Sequence, residues 1–127
     1  EGDVMTDGTR RIMSTVGFVN QRYLVALVGN AQILEISSNH DRLKQSVKFP
    51  IKPNTWYHLK SQVKSNPDGS GIVLAKAWPR GTDEPAEWTI ETPVKHVHPK
   101  GSPAVFAFSP QSQKRVYIDN IKLTKNP

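Results

Sequence analysis

The sequence predicts an all-β fold: a single domain folded as an antiparallel jelly-roll β-sandwich. Apolar and polar residues alternate at period two, and turn residues interrupt the alternation about every eight to twelve positions. The chain has 127 residues, including 10 prolines and 8 glycines, and shows no helical periodicity. Short alternating strands separated by such turns are typical of sandwiches and jelly rolls.

The first half of the sequence predicts four strands joined by short turns. Gly29-Asn30 is predicted to reverse the chain tightly, because both residues tolerate positive φ. In the strand that follows, Leu34 and Ile36 share one face, and Glu35 lies on the other. The four predicted strands cover residues 14–21, 22–29, 31–38 and 42–49.

The second half predicts five further strands, two loops and one long connection. Residues 55–64 alternate cleanly, with Tyr57, Leu59, Ser61 and Val63 on one face and Trp56, His58, Lys60 and Gln62 on the other. Loops are predicted at 65–71 and 80–87, and a long connection at 93–103. The other predicted strands are 72–79, 88–92, 104–110 and 115–124.

Composition excludes several classes of function. The chain has no cysteine, which excludes a disulfide framework, a thiolate zinc site and a cysteine nucleophile. No stretch approaches the roughly 20 apolar residues of a transmembrane helix. The net charge of +6 could attract nucleic acid, an anionic polysaccharide or an acidic protein. However, the basic residues are dispersed, and the densest pair is Arg10-Arg11, so we expect a solvated surface and no nucleic-acid partner.

The start of the sequence suggests a piece of a larger protein. It begins Glu1-Gly2-Asp3 without methionine and without a visible signal peptide. We therefore expect the domain to span residues 1–127, with its first strand or strands preceding Glu1 in a multidomain chain.

Three segments together resemble a known family: "NTWYHLK", "AKAWPRGTDEPAEWTIE" and "GSPAVFAFSPQSQKRVYIDNIKLT". Their order is similar to that of the concanavalin A-like lectin/glucanase jelly roll, in its laminin-G-like branch. It most resembles the domain at the C-terminal end of bacterial proteins built on a PQQ-type β-propeller. The upstream "GFVNQRYLVALVGNAQILEISS" fits as well, so the resemblance spans roughly residues 3–124. It implies a periplasmic or extracellular bacterial protein and is more specific for fold than for function.

The acidic residues do not form a catalytic pattern. Glucanases of the resembled fold place two or three carboxylates at alternate positions of one strand, where they act as nucleophile and acid. Here Glu35 stands alone, Glu91 alternates with a threonine, and Asp83, Glu84 and Glu87 lie in a loop. A serine-nucleophile motif of the type Gly-x-Ser-x-Gly is also missing. We therefore expect no enzymatic activity.

Two small groups could bind a metal, although each also has a simple structural explanation. His96 and His98 lie two apart in an extended segment, but the sequence offers no third ligand. Asp119 and Asn120, together with Asp3, could bind a structural Ca²⁺ or could accept hydrogen bonds near a bulge. We favour the structural explanation for both groups and expect no cofactor.

Trp78 and Trp88 flank the acidic loop and have two interpretations. They could fix a hairpin as a cross-strand pair, with the Lys76 stem along the Trp78 ring. Alternatively they could stack a sugar ring on an exposed face. Trp56 is expected to anchor the core or its rim.

The second interpretation predicts a ligand-binding face on a concave sheet. Arginine, histidine and lysine would bind hydroxyl or carboxylate groups there, and an aromatic ring would stack on a pyranose. Gln21 could join this face. The predicted ligand-binding residues are Arg22, His58, Lys60, Lys76, Trp78 and Trp88.

The function expected from the sequence is therefore a non-catalytic accessory module that binds a carbohydrate, such as a glycan or polysaccharide. The alternative is a structural domain that packs against a neighbouring propeller or a sister subunit. In that case a sheet edge and the tryptophan pair would form the interface.

Overall fold

The computed structural model describes residues 1–9, 12–109 and 114–126, and these residues form strands and no helix. The Arg10-Arg11 pair and the end of the predicted 104–110 strand lie outside the described residues. The strands are β1 (Gly2–Thr6), β2 (Gly8–Thr9), β3 (Ile12–Met13), β4 (Thr15–Asn20), β5 (Tyr23–Val28), β6 (Ile33–Ser38), β7 (Leu43–Lys48), β8 (Tyr57–Ser65), β9 (Gly71–Pro79), β10 (Ile90–Val94), β11 (Ala104–Phe108) and β12 (Val116–Asp119).

The strands form two five-stranded antiparallel sheets packed face to face. The first sheet has the order β10-β9-β8-β1-β12, and the second has the order β11-β4-β5-β6-β7. The short strands β2 and β3 pair with each other. An all-β sandwich of two antiparallel sheets is thus confirmed, while its assignment as a jelly roll stays a prediction.

The core lies between the sheets, where the inward faces of both meet. The alternation predicted for β6 and β8 is confirmed: Leu34, Ile36 and Leu59 are fully buried. The register of the β8–β9 hairpin places His58 opposite Trp78 and Lys60 opposite Lys76 on the outer face. The hydrophobic core therefore occupies one face of the first sheet and leaves four of the six predicted binding residues on the other.

The turn between β5 and β6 differs from the predicted reversal at Gly29-Asn30. The positive φ of this turn, 55°, is found at Gln32 and not at Gly29 or Asn30. Gly29 is needed for close approach instead, since a Cβ there would lie 2.6 Å from the Ser14 carbonyl oxygen. The Gln32 amide then bridges to Ile51, donating to its carbonyl at 3.0 Å and accepting from its N–H at 2.7 Å.

Most predicted strand limits shift by one or two residues, and two segments change more. The segment predicted at 88–92 forms a strand at Ile90–Val94, so Trp88 lies in the loop before β10 and the predicted 93–103 connection loses its first two residues to β10. The segment predicted at 115–124 forms a strand only from Val116 to Asp119. Asn120 has φ 53°, and the chain beyond it continues along β1 with one extra residue, because Asp3 pairs with Asp119 whereas Glu1 bonds to Lys122. This is a β-bulge with an asparagine in the left-handed position.

Candidate functional site

The outer face of the first sheet contains four of the six predicted ligand-binding residues. His58, Lys60, Lys76 and Trp78 project from adjacent strands β8 and β9. The His58 and Trp78 rings stack with their centroids 4.8 Å apart. Sequence alternation thus grouped these four residues correctly.

A loop of residues 80–89 covers much of this face. The Lys76 ammonium donates to the Pro85 carbonyl oxygen at 2.6 Å and pairs with Glu84 at 2.8 Å. It also lies 5.8 Å from the centroid of the Trp78 ring and 4.8 Å from that of Trp88. Lys76 and Trp78 are only 4% and 8% exposed. The burial of Trp78 agrees with a structural role, but the predicted cross-strand pair does not form: Trp88 lies before β10, and the Lys76 ammonium lies near both rings.

Glu84 is held by two lysines rather than being free in a solvated loop. Hydrogen bonds from Lys76 and Lys60 lower the pKa of its carboxyl group, with a smaller opposing effect from desolvation. The loop is therefore fixed to the sheet by charge as well as by packing.

His58 lies between two carboxylates at the β1 edge of the same face. Its Nδ1 is 2.8 Å from Asp3 Oδ1, and its Nε2 is 2.9 Å from Glu1 Oε1. Asn120 donates to the other Asp3 oxygen at 2.7 Å. Burial alone would raise the pKa of Asp3, but the hydrogen bonds from Asn120 and His58 outweigh it and lower the pKa. Both imidazole nitrogens thus have partners, and the cluster favours ionised carboxylates.

The remaining predicted binding residues lie elsewhere. Arg22 is an exposed residue of the β4–β5 turn in the second sheet, and so it does not join the face built by β8 and β9. Gln21, its neighbour, donates to the His98 carbonyl oxygen at 2.8 Å. Trp88 is half-buried at the rim of the loop. Trp56 is also a rim residue, with the Arg80 guanidinium 4.6 Å from its ring centroid.

Of the residues considered for metal binding, His96 is exposed, whereas His98, Asp3, Asp119 and Asn120 have partners within the chain. His98 is buried, stacks on Tyr23 and shares its Nε2 between Ser38 Oγ at 3.2 Å and Asp41 Oδ2 at 3.0 Å. Serine and aspartate on the same nitrogen do not form the relay of a catalytic triad, which uses opposite nitrogens. Among the described residues, no group of three or more His, Asp or Glu side chains has the geometry of a metal site.

A second candidate surface lies where the two sheets leave the sandwich open, between the start of β1 in the first sheet and the edge strand β11 in the second. Val105, Ile121 and Leu123 are 53%, 56% and 67% exposed there. Val105 pairs with buried Phe18 and therefore lies on the inward face of its sheet. These three residues and Phe18 line a depression of about 270 Å³. We call this surface the open side.

Sequence patterns did not single out the open side. Alternation assigns Val105 to an inward face, but only the strand order shows that the opposite sheet leaves it uncovered. Glu1 and Asp3 were likewise not predicted as partners of His58, because the β1–β8 pairing is non-local.

Comparisons with known proteins add no relative: no protein-family model, curated protein or solved structure matches this chain. Nor do the described residues include any helix long and apolar enough to cross a membrane.

Proposed function

We propose that this chain is a non-catalytic packing module that binds another polypeptide through the open side of its β-sandwich. The observation that carries the proposal is the exposure of Val105, Ile121 and Leu123 on a surface continuous with the core. Apolar side chains that adjoin a core and face water are typical of protein interfaces. The predicted sugar-binding face is less accessible to a ligand, since Lys76 and Trp78 are enclosed by the 80–89 loop.

Such a module fits the resemblance to domains attached to a bacterial PQQ-type β-propeller, in the periplasm or outside the cell. The membership of that family and the location are parts of the same proposal. In this function the partner is a neighbouring domain or a sister subunit that covers the open side.

Sedimentation velocity tests the proposal. With no partner present, we expect the chain to self-associate as its concentration rises, because the open side remains exposed. Replacing Ile121 and Leu123 by serine should keep the chain monomeric without loss of stability, since both side chains are exposed. Phe108→Ser is the matched control: this residue is 59% exposed but lies outside the open side. A wild-type chain that stays monomeric and binds no hydrophobic dye would refute the proposal.

Carbohydrate binding remains a second candidate, on a narrower site than the sequence predicted. Trp88 borders a depression of about 370 Å³ with Lys60, Gln62, Lys122 and Lys125. One half-exposed ring beside several ammonium groups suits an acidic sugar better than a neutral one. Titration of tryptophan fluorescence with neutral and acidic polysaccharides tests this, at low and moderate salt. A saturable, sugar-specific response should disappear in Trp88→Ala; a flat response across the panel would exclude this candidate.

A further inference from the structure

Two lysines lie directly opposite each other on the outer face of the first sheet. The register of β8 and β9 pairs Lys60 with Lys76. Like charges at opposite positions of an antiparallel pair destabilise the sheet, because the pairing holds their side chains close together. The pair therefore favours an anion between its two ammonium groups.

The chain supplies such an anion from the loop that covers this face. One oxygen of Glu84, Oε2, accepts from Lys76 Nζ at 2.8 Å and from Lys60 Nζ at 3.2 Å. The carboxylate of Glu1, which also lies near Lys60, bonds to His58 instead. Glu84 thus marks a carboxylate position that two ammonium groups bridge.

Glu84 is only weakly held at this position. Its side chain is 44% exposed, whereas that of Lys76 is 5% exposed. An ion pair with an exposed partner contributes little, because water and salt screen its charges. Lys76 also donates to the Pro85 carbonyl oxygen, and this hydrogen bond does not depend on the Glu84 carboxylate. The Glu84 side chain can therefore turn into water while the loop stays attached to the sheet.

An aromatic ring lies beside the same position. The Lys76 ammonium contacts the Glu84 carboxylate and lies 4.8 Å from the centroid of the Trp88 ring, so it is a neighbour of both. Trp88 is half-buried and keeps part of its ring at the surface. A carboxylate position next to an accessible indole suits a ligand that joins a negative group to an apolar ring face. A hexuronate sugar has both groups on one ring, whereas an acidic peptide side chain has the carboxylate alone.

We propose that the position of Glu84 is a subsite for the carboxylate of a hexuronate residue in an acidic polysaccharide, and that Glu84 is a built-in competitor for it. The ligand carboxylate replaces Glu84 between Lys60 and Lys76, and the sugar ring stacks on the exposed part of Trp88. This inference rests on the carbohydrate candidate described above and does not involve the open side. It names the charged group that the ligand carries and the residue that opposes its binding.

Removal of the competitor tests the proposal. Glu84→Gln keeps the size of the side chain and removes its charge. Glu87→Gln makes the same change in net charge at another exposed position of the loop and is the matched control. Neither substitution is expected to unfold the chain, because both positions are exposed. Titration of tryptophan emission with trigalacturonate at low salt should show about fivefold tighter binding to Glu84→Gln than to the wild type, which is the limit set by an exposed ion pair. Glu87→Gln should stay within about twofold of the wild type.

The lysine side of the subsite has its own matched pair of variants. Lys60→Gln should weaken the binding of trigalacturonate by about tenfold, because it removes one of the two charged donors. Lys64→Gln removes the same charge from an exposed position further along β8 and should retain most of the affinity. Equal losses in these two variants would mean that general charge attraction, and not this subsite, binds the probe.

Two further probes define the ligand. Galactotriose, a neutral trisaccharide, should gain nothing from Glu84→Gln, because it has no carboxylate to replace the lost one. Acetylated triglutamate should bind Glu84→Gln about tenfold more weakly than trigalacturonate does, since it has no ring to stack on Trp88. Tighter binding of triglutamate than of trigalacturonate would overturn the proposal in favour of an acidic polypeptide.

The outcomes separate the subsite from the functions proposed above. Equal affinities of Glu84→Gln and Glu87→Gln for trigalacturonate would overturn the subsite, and the carbohydrate candidate would stand without it. If no variant responds to any saccharide, the subsite and the carbohydrate candidate both fail. The packing function does not depend on either result, because self-association through the open side is measured separately.

Discussion

The buried ammonium of Lys76 should hold the 80–89 loop onto the first sheet, and Lys76→Met tests that role. Methionine keeps most of the apolar stem and removes the charge. The loop then loses the donor to Pro85, the ion pair with Glu84 and the cation between the two tryptophan rings. The substitution therefore separates the electrostatic fixation of the loop from its packing.

The expected magnitude follows from the contacts. A part-buried carbonyl of Pro85 left without its donor costs about 1–3 kcal/mol. The pair with Glu84 adds less than about 1 kcal/mol, because Glu84 is 44% exposed. The cation–π contacts add about 0.5–2 kcal/mol. Relief from burying an ammonium offsets part of this sum, so we expect a net loss of about 2 kcal/mol in the free energy of unfolding.

Urea unfolding followed by circular dichroism measures that loss, and tryptophan emission reports the loop directly. Detachment of the loop should expose Trp88 and shift its emission to the red. Lys64→Met is the matched control, since Lys64 is exposed on β8, and it should change stability by less than about 0.5 kcal/mol. If Lys76→Met is as stable as the wild type and its emission is unchanged, the ammonium does not hold the loop.

Three further predictions concern stability. Asp3 has a lowered pKa in the folded chain, so its ionised carboxylate stabilises the fold above its ordinary pKa of 3.8, and this stabilisation is lost as the pH falls through the folded pKa. Below about pH 4, the free energy of unfolding should therefore fall less steeply with decreasing pH for Asp3→Asn than for the wild type. Gly29→Ala should lower the thermal midpoint by several degrees, because the new Cβ would lie 2.4 Å from Met13 Cγ; an unchanged midpoint would contradict the packing described. Gln32→Ala should cost about 2 kcal/mol in urea unfolding, since the buried backbone of Ile51 loses both partners, and a loss under about 0.5 kcal/mol would refute that bridge.

Local patterns in the sequence predicted local features of the structure. The alternation of β6 and β8 gave the correct faces, because the side-chain period of a strand is fixed by its backbone. For the same reason His58, Lys60, Lys76 and Trp78 were grouped correctly once β8 and β9 formed a hairpin. Arg22 does not share this face, because it lies in the turn between two strands of the other sheet.

Non-local features could not be predicted in this way. The burial of Lys76 depends on how the 80–89 loop folds back, and acidic loop residues alone indicate only a solvated turn. The partners of His58 depend on the pairing of β1 with β8, more than fifty positions apart.

The proposed packing function is tested most directly by a concentration series of amide resonances in the isolated, ¹⁵N-labelled chain. The account predicts concentration-dependent shifts at Val105, Ile121 and Leu123, and their loss when Ile121 and Leu123 are replaced by serine. Resonances that stay fixed at every concentration, or shifts confined to Lys60 and Trp88 on the outer face, would contradict the open side as the binding surface.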